Sequence, residues 1–292
     1  MANSWIYRTR KISVFLLLLC HVPLAVCDLK SEYEAKTPQL EVSQFSLPIL
    51  MESSVQGRLL KTVIFGRLEH SYELVLDRLS NPAAWCGMMF LHLNTKACVH
   101  QTRQGRSTVT IYMGNKEYQP ISETKPLSLT FVAKVETAEG QMVKLQSEQG
   151  PYHTSDYLIV VEVAPLESCC TIIKFQLSFK TNPLIQSLAN LYLTVFARNK
   201  VGFTRIDTTR DGNPVYVSGM QGVLERNALR NYLAVTTFLD TLGENRERRF
   251  ERWFDATAKY DQLKELSKSD YLKYKKMEYR QQVAAQMELV RP

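Results

Sequence analysis

The apolar pattern of this chain changes period at Asn182-Pro183. Between residues 88 and 180 it reads as a series of short strands, and after Asn182-Pro183 apolar residues recur three and four apart. Strands grouped together and followed by helices point to an α+β fold with an antiparallel sheet. The strand signals are the apolar run Met88 to Leu93, the β-branched run Ser107 to Met113 before Gly114-Asn115, and the alternating segment Leu127 to Val135. Glu139-Gly140 marks a hairpin that returns through Met142 to Gln146. Tyr157 to Val163 and Thr171 to Phe179 bring the series to at least six strands.

Upstream, residues 28–46 are polar and interrupted by Pro38, and they read as a linker. Residues 54–65 read as extended. Tyr72, Val75, Leu76 and Leu79 give helical spacing over Glu69 to Leu79, which ends before Asn81-Pro82. Downstream, Leu184, Leu188, Leu191 and Val195 fit a helix over 184–197. Phe203 to Ile206 and Pro214 to Val217 flank the turn signal Asp211-Gly212. The longest amphipathic segment covers 222–242 and stops at Gly243. Residues 244–292 differ in composition, with 12 Lys or Arg and 9 Asp or Glu, and read as a charged helical extension that packs on the domain or on a partner.

Residues 1–27 place Arg8, Arg10 and Lys11 before an apolar stretch and a small-residue site at Ala25-Val26-Cys27, the pattern of an export signal. The expected location is the periplasm or cell envelope. Leu24 to Cys27 also resembles a lipoprotein box, in which Cys27 carries a lipid anchor, although Val26 stands where Gly, Ala or Ser is usual. Setting the three leader cations aside lowers the formal charge from +7 to +4, and cations alternate with acids, so no nucleic-acid partner is expected. Four cysteines follow the leader. Cys86 and Cys98 are expected to form a disulfide, while Cys169 and Cys170 are read as free buried thiols on opposite faces of a strand.

The order strand, helix, six-strand series and long C-terminal helix over 47–243 resembles the START-like helix-grip superfamily. The resemblance implies a curved antiparallel sheet around the 222–242 helix, with an apolar cavity between them for a lipid or other hydrophobic small molecule. Leu229, Tyr232, Leu233 and Phe238 would form the helix wall of that cavity. Arg226 and Arg230, one turn apart, could hold a phosphate or carboxylate head group at its mouth. The plainer reading of the wall residues is core packing, and that of the arginines is a solvated pair or a partner for Glu225. The chain departs from the pattern by inserting the 184–197 helix and the 203–217 hairpin before the long helix. The segments Trp85 to Cys98 and Pro214 to Asn227 are also similar to uncharacterised exported proteobacterial proteins.

Cys86, His92, Cys98 and His100 have the spacing C-x5-H-x5-C-x-H, without the tight C-x2-4-C knuckles of structural zinc sites, so no metal is expected. No nucleophile motif, Walker loop or dinucleotide fingerprint is present, and neither a catalytic site nor a cofactor is expected. The leading expectation is an exported protein that binds, carries or senses a hydrophobic molecule. The alternative is a non-catalytic envelope protein with a filled core, whose residues 244–292 dock on a partner.

Overall fold

The computed structural model describes residues 28–167, 169–182 and 200–291. The expected leader with Cys27, and the expected helix over 184–197, lie outside the described residues. The sheet starts as a hairpin. β1 (Leu50–Gln56) and β2 (Leu59–Leu68) turn through Gly57, whose φ of +60° is a left-handed conformation that a residue without Cβ adopts freely. Two short helices follow, α2 (Tyr72–Leu79) and α3 (Pro82–Met89), after α1 (Leu29–Glu41) at the start of the described chain.

Six strands then run in sequence: β3 (Thr95–Arg103), β4 (Arg106–Met113), β5 (Lys125–Glu136), β6 (Gln141–Gln149), β7 (Ser155–Glu167) and β8 (Cys170–Lys180). The eight-stranded antiparallel sheet has the order β1-β2-β8-β7-β6-β5-β4-β3. Helices α2 and α3 therefore carry the chain from β2 to the far edge, and the strands step back until β8 meets β2. The pairing runs from Leu59 opposite Lys180 to Leu68 opposite Thr171. A small hairpin, β9 (Arg205–Thr208) and β10 (Pro214–Tyr216), precedes the long helix α4 (Gly219–Asp240), which packs on β1, β2, β8 and α3. In β5 the alternation is plain: Leu127, Leu129 and Phe131 are buried, while their neighbours face water. Strand β8 is buried on both faces, because α4 covers one and α1 packs on the other.

Two sequence expectations are corrected. Residues 28–46 are not an irregular linker, since most of them form α1, capped by Asp28 Oδ1, which accepts from Ser31 N at 2.8 Å. Leu29 packs on Ala164 and Ile172, and Glu32 pairs with Lys174, so tertiary contacts hold a helix that its weak apolar pattern and Pro38 do not announce. Met88 to Leu93 is the end of α3 and a turn, not a strand. Asn81 caps that helix, Pro82 starts it, and its residues are buried nearly all round, which removes the periodic signal.

The charged tail docks on the domain. α5 (Arg246–Ala258) lies against α4, and α6 (Lys268–Leu289) lies along β3, an edge strand of the sheet. Gln282 Oε1 accepts from Cys98 N at 2.8 Å, and Gln286 both accepts from His100 N and donates to His100 O at 2.9 Å. The glutamine amides thus take the place of a ninth strand and cover the open edge. Below them Lys96 Nζ reaches Glu278 Oε1 at 2.7 Å, and Lys275 Nζ lies 2.9 Å from Glu278 Oε2, with all three side chains buried. Lys275 also donates to His92 O at 3.0 Å and Thr95 O at 2.6 Å.

Glu278→Ala should leave two buried ammonium groups without a counter-charge and lower stability by about 3–5 kcal/mol in urea unfolding. Burial, opposed by Glu278, pulls Lys275 down to about 8 from its ordinary 10.5. Between those two values the unfolded chain binds the proton more tightly, so this group's contribution to stability rises with pH and is lost below the window. Lys275→Met should remove that rise. Unfolding free energies measured across the window should then shift in favour of the unaltered protein as pH increases.

Candidate functional site

The four predicted wall residues are all buried on α4, but they fall into two environments. Tyr232 and Leu233 form part of the floor of a cleft of about 470 Å³ between the 46–48 segment, the end of β2, α4 and α5. Leu47, Leu68 and Ala256 complete its apolar floor. Leu229 and Phe238 do not line it. Leu229 belongs to the continuous core, and Phe238 packs over Gly87 with the Arg249 guanidinium 4.5 Å from its ring centre.

The rim of the cleft is charged. Arg67 pairs with Glu69 at 2.7 Å and His70 Nε2 meets Asp240 Oδ1 at 2.8 Å, while Arg248, Arg252, Asp255 and Lys259 stand on the α5 side. Hydrogen bonding from Arg67, then from Cys170, holds Glu69 below the usual carboxylate range. An apolar floor beneath such a rim can take an amphipathic molecule and select its charge. Tyr232 sits in this floor with its hydroxyl against Gly66, where a Cβ would collide with Oη and stand 3.0 Å from Ile49 Cγ2. The close approach requires glycine.

Arg226 and Arg230 lie elsewhere, and neither is at the mouth of the cleft nor solvated. They are 4% and 2% exposed, on the face of α4 that meets the 261–265 segment. Arg230 Nη2 donates to Glu265 Oε1 at 2.7 Å and to Leu263 O at 3.1 Å. Glu225 is not their partner: it accepts from Ser53, from Thr204 N at 3.0 Å and from Thr204 Oγ1 at 2.6 Å. Burial, and then the neighbouring Arg230, bring Arg226 down to about 10.

Next to this pair are residues that sequence reasoning did not single out as a group. His92 is buried against Trp253, and its pKa falls well below the usual value through burial and then the charges of Arg230 and Lys275, so it is neutral at pH 7. Lys96, Lys275 and Glu278 continue the polar layer. Lys275 and Glu278 belong to the tail read as a charged helical extension and Lys96 to β3, and the docking of α6 on β3 brings all three inside. The tail's aromatic residues Phe250, Trp253, Tyr260 and Tyr271 are likewise spent on the core.

Cys86 and Cys98 form the expected disulfide, with Cα atoms 5.0 Å apart, which removes both from any ligand set with His92 and His100. Cys169 and Cys170 are not on opposite faces. Cys169 is exposed in the turn before β8, Cys170 is buried at its start, and their Sγ atoms are 2.8 Å apart. Cys170 Sγ donates to Glu69 Oε2 at 3.4 Å, and donor atoms of Glu167, Cys169 and Cys170 lie within 4.8 Å of one another. The alternation of β8 begins one residue too late to separate the thiols.

No family model matches the chain, and no curated protein matches it. Solved structures similar to it include norcoclaurine synthase from Thalictrum flavum, at 15% identity over 46% of this chain and 84% of that one, with a TM-score of 0.34. The Zhui aromatase/cyclase from Streptomyces sp. R1128 is similar at 14% identity over 65% of this chain and 95% of that one, TM-score 0.36. A START superfamily protein from Mycobacterium smegmatis is similar at 16% identity over 47% and 92%, TM-score 0.32. The chain's own topology carries the assignment: two helices at the crossover, six strands returning to β2, and one long helix held against the sheet. The fold is START-like helix-grip.

Gly66→Ala should displace the Tyr232 ring and cost about 1–3 kcal/mol. Thermal unfolding of the Gly66→Ala, Tyr232→Phe double variant should recover part of that loss, because the hydroxyl is the atom nearest the added methyl.

Proposed function

We propose that the protein binds a small amphipathic molecule in the cleft floored by Tyr232 and Leu233, with the apolar body on that floor and a charged head among the rim residues. The observation that carries this reading is the cleft itself. Its volume of about 470 Å³ falls in the range of small-molecule sites, and its floor is apolar beneath convergent charges. The ligand is a lipid-like or other hydrophobic small molecule with a polar end, bound, carried or sensed without a chemical step.

We further propose that the protein works outside the cytoplasm, in the periplasm or cell envelope, either free or anchored through a lipid at Cys27. The leader pattern of residues 1–27 supports this, and so does the Cys86–Cys98 disulfide, a bond that persists in oxidising compartments. No helix among the described residues is long and apolar enough to cross a membrane.

A second reading, a non-catalytic interaction protein with a filled core, is favoured by the single buried cluster that joins α2–α6 with the sheet. One experiment separates the two. Protein purified from the envelope fraction under mild conditions should show, by native mass spectrometry, a stoichiometric extra mass that disappears on organic extraction. Leu233→Trp should abolish that retention while the variant stays folded by circular dichroism. A bare polypeptide mass, with single-chain amphiphiles also failing to bind the extracted protein, would favour the interaction reading.

A further inference from the structure

Arg226 is a buried cation without an acceptor. Its Nε and Nη1 have no hydrogen-bond partner among the described residues, and neither does Arg230 Nε. Arg230 is near enough to disfavour the charge of Arg226, and Glu265 is the carboxylate acting on both. That carboxylate is already shared, with Oε1 bonded to Arg230 at 2.7 Å and Oε2 lying 3.7 Å from Lys200 Nζ. The other buried acids are committed, Glu225 to Ser53 and Thr204 and Glu278 to Lys96 and Lys275. A guanidinium withdrawn from water with unmade hydrogen bonds costs several kcal/mol unless an anion meets it.

We infer that Arg226 and Arg230 form a buried oxyanion site, one that takes a carboxylate or phosphate group between α4 and the 261–265 segment. Arg226 keeps Nε and Nη1 open for charge-assisted hydrogen bonds to carboxylate or phosphate oxygens. Arg230 contributes its open Nε and is itself fixed by Leu263 and Glu265. A groove of about 810 Å³, lined by Lys259 to Gln262 with Phe45, Phe203 and Tyr216, opens beside the 261–265 segment, and neither arginine is part of its lining. The site is separate from the cleft, whose lining includes neither arginine, so it stands or falls independently of the amphiphile reading.

The test uses the full chain in a buffer whose anion is bulky and weakly coordinating, with phosphate or acetate titrated at constant ionic strength and no amphiphile present. Binding to the folded form raises the unfolding midpoint with the logarithm of anion concentration. Arg226→Met should weaken the apparent affinity by about 10- to 100-fold, the worth of a charged hydrogen bond to this ligand. Arg103→Met, on an exposed arginine of β3, should leave it unchanged. A response to phosphate alone or to acetate alone identifies which oxyanion the site takes. A midpoint indifferent to both, or an equal response in Arg226→Met, overturns the proposal. Should that variant not fold, isothermal titration of the unaltered protein decides: one equivalent of either anion supports the site, and no binding at millimolar concentration refutes it.

Discussion

The pairing of β2 with β8 determines where every other element can lie. The strands are more than a hundred residues apart at their ends, yet they register without a bulge from Leu59 opposite Lys180 to Leu68 opposite Thr171. This ladder forces the crossover through α2 and α3 to reach the far edge of the sheet, because the strands between must step back one position at a time. It also fixes the seat of α4, which packs on β2 and both of its neighbours. Long-range pairing of this kind carries the loop-closure entropy of the whole six-strand series, so the apolar burial between sheet and α4 must repay it. That burial is extensive: Leu60, Ile64, Phe175, Leu224, Leu229 and Val235 belong to one core.

The far edge presents the complementary constraint. An unpaired β3 would offer backbone donors and acceptors to any passing strand. The chain resolves this with its own C-terminal helix, in which Gln282 and Gln286, four residues apart on one face, supply amide groups to Cys98 and His100. The buried Lys96, Glu278 and Lys275 then fix the position of that helix. An ion triad of this type contributes little net stability, since desolvation offsets most of its attraction, but misplacement of any member would leave a charge stranded. The triad therefore specifies where α6 docks, and the aromatic contacts of Trp253 and Tyr271 supply the burial.

The parts of the fold that were legible in the sequence are those in which one face meets water. β5 to β7 show clear periods because more exposed residues separate the buried ones, the long helix keeps its period because polar side chains stand between its apolar ones even though nearly all of it is buried, and Asp211-Gly212 marks the small hairpin through its turn chemistry. Signals fail where burial is complete or where partners are distant. α3 is buried so fully that its apolar run reads as a strand, and α1 is held by Phe65, Ala164 and Ile172, none of them near it in sequence. The site follows the same rule. Tyr232 and Leu233 could be named from their place on the helix, while Arg67, Glu69 and His70 join them only because β2 ends beside α4. Lys96 and Lys275 carry no sequence mark of burial at all.

The distribution of charge on α4 follows from this geometry. A helix gripped by a sheet on one side and by docked helices on the other has almost no solvent-facing stripe, so its polar residues must find partners inside. Glu225 does so through the backbone and hydroxyl groups around Phe203 and Thr204, and Arg230 through Leu263 and Glu265. His92 accepts from Asn94 N at 3.1 Å through Nδ1, and its burial disfavours a further positive charge in the layer. Arg226 alone on this face retains buried donors on both Nε and Nη1 without acceptors, although a methionine of similar volume would fill the same space without that cost. A cation kept where packing alone would favour an apolar side chain has its physical rationale in an anion that arrives from outside the chain.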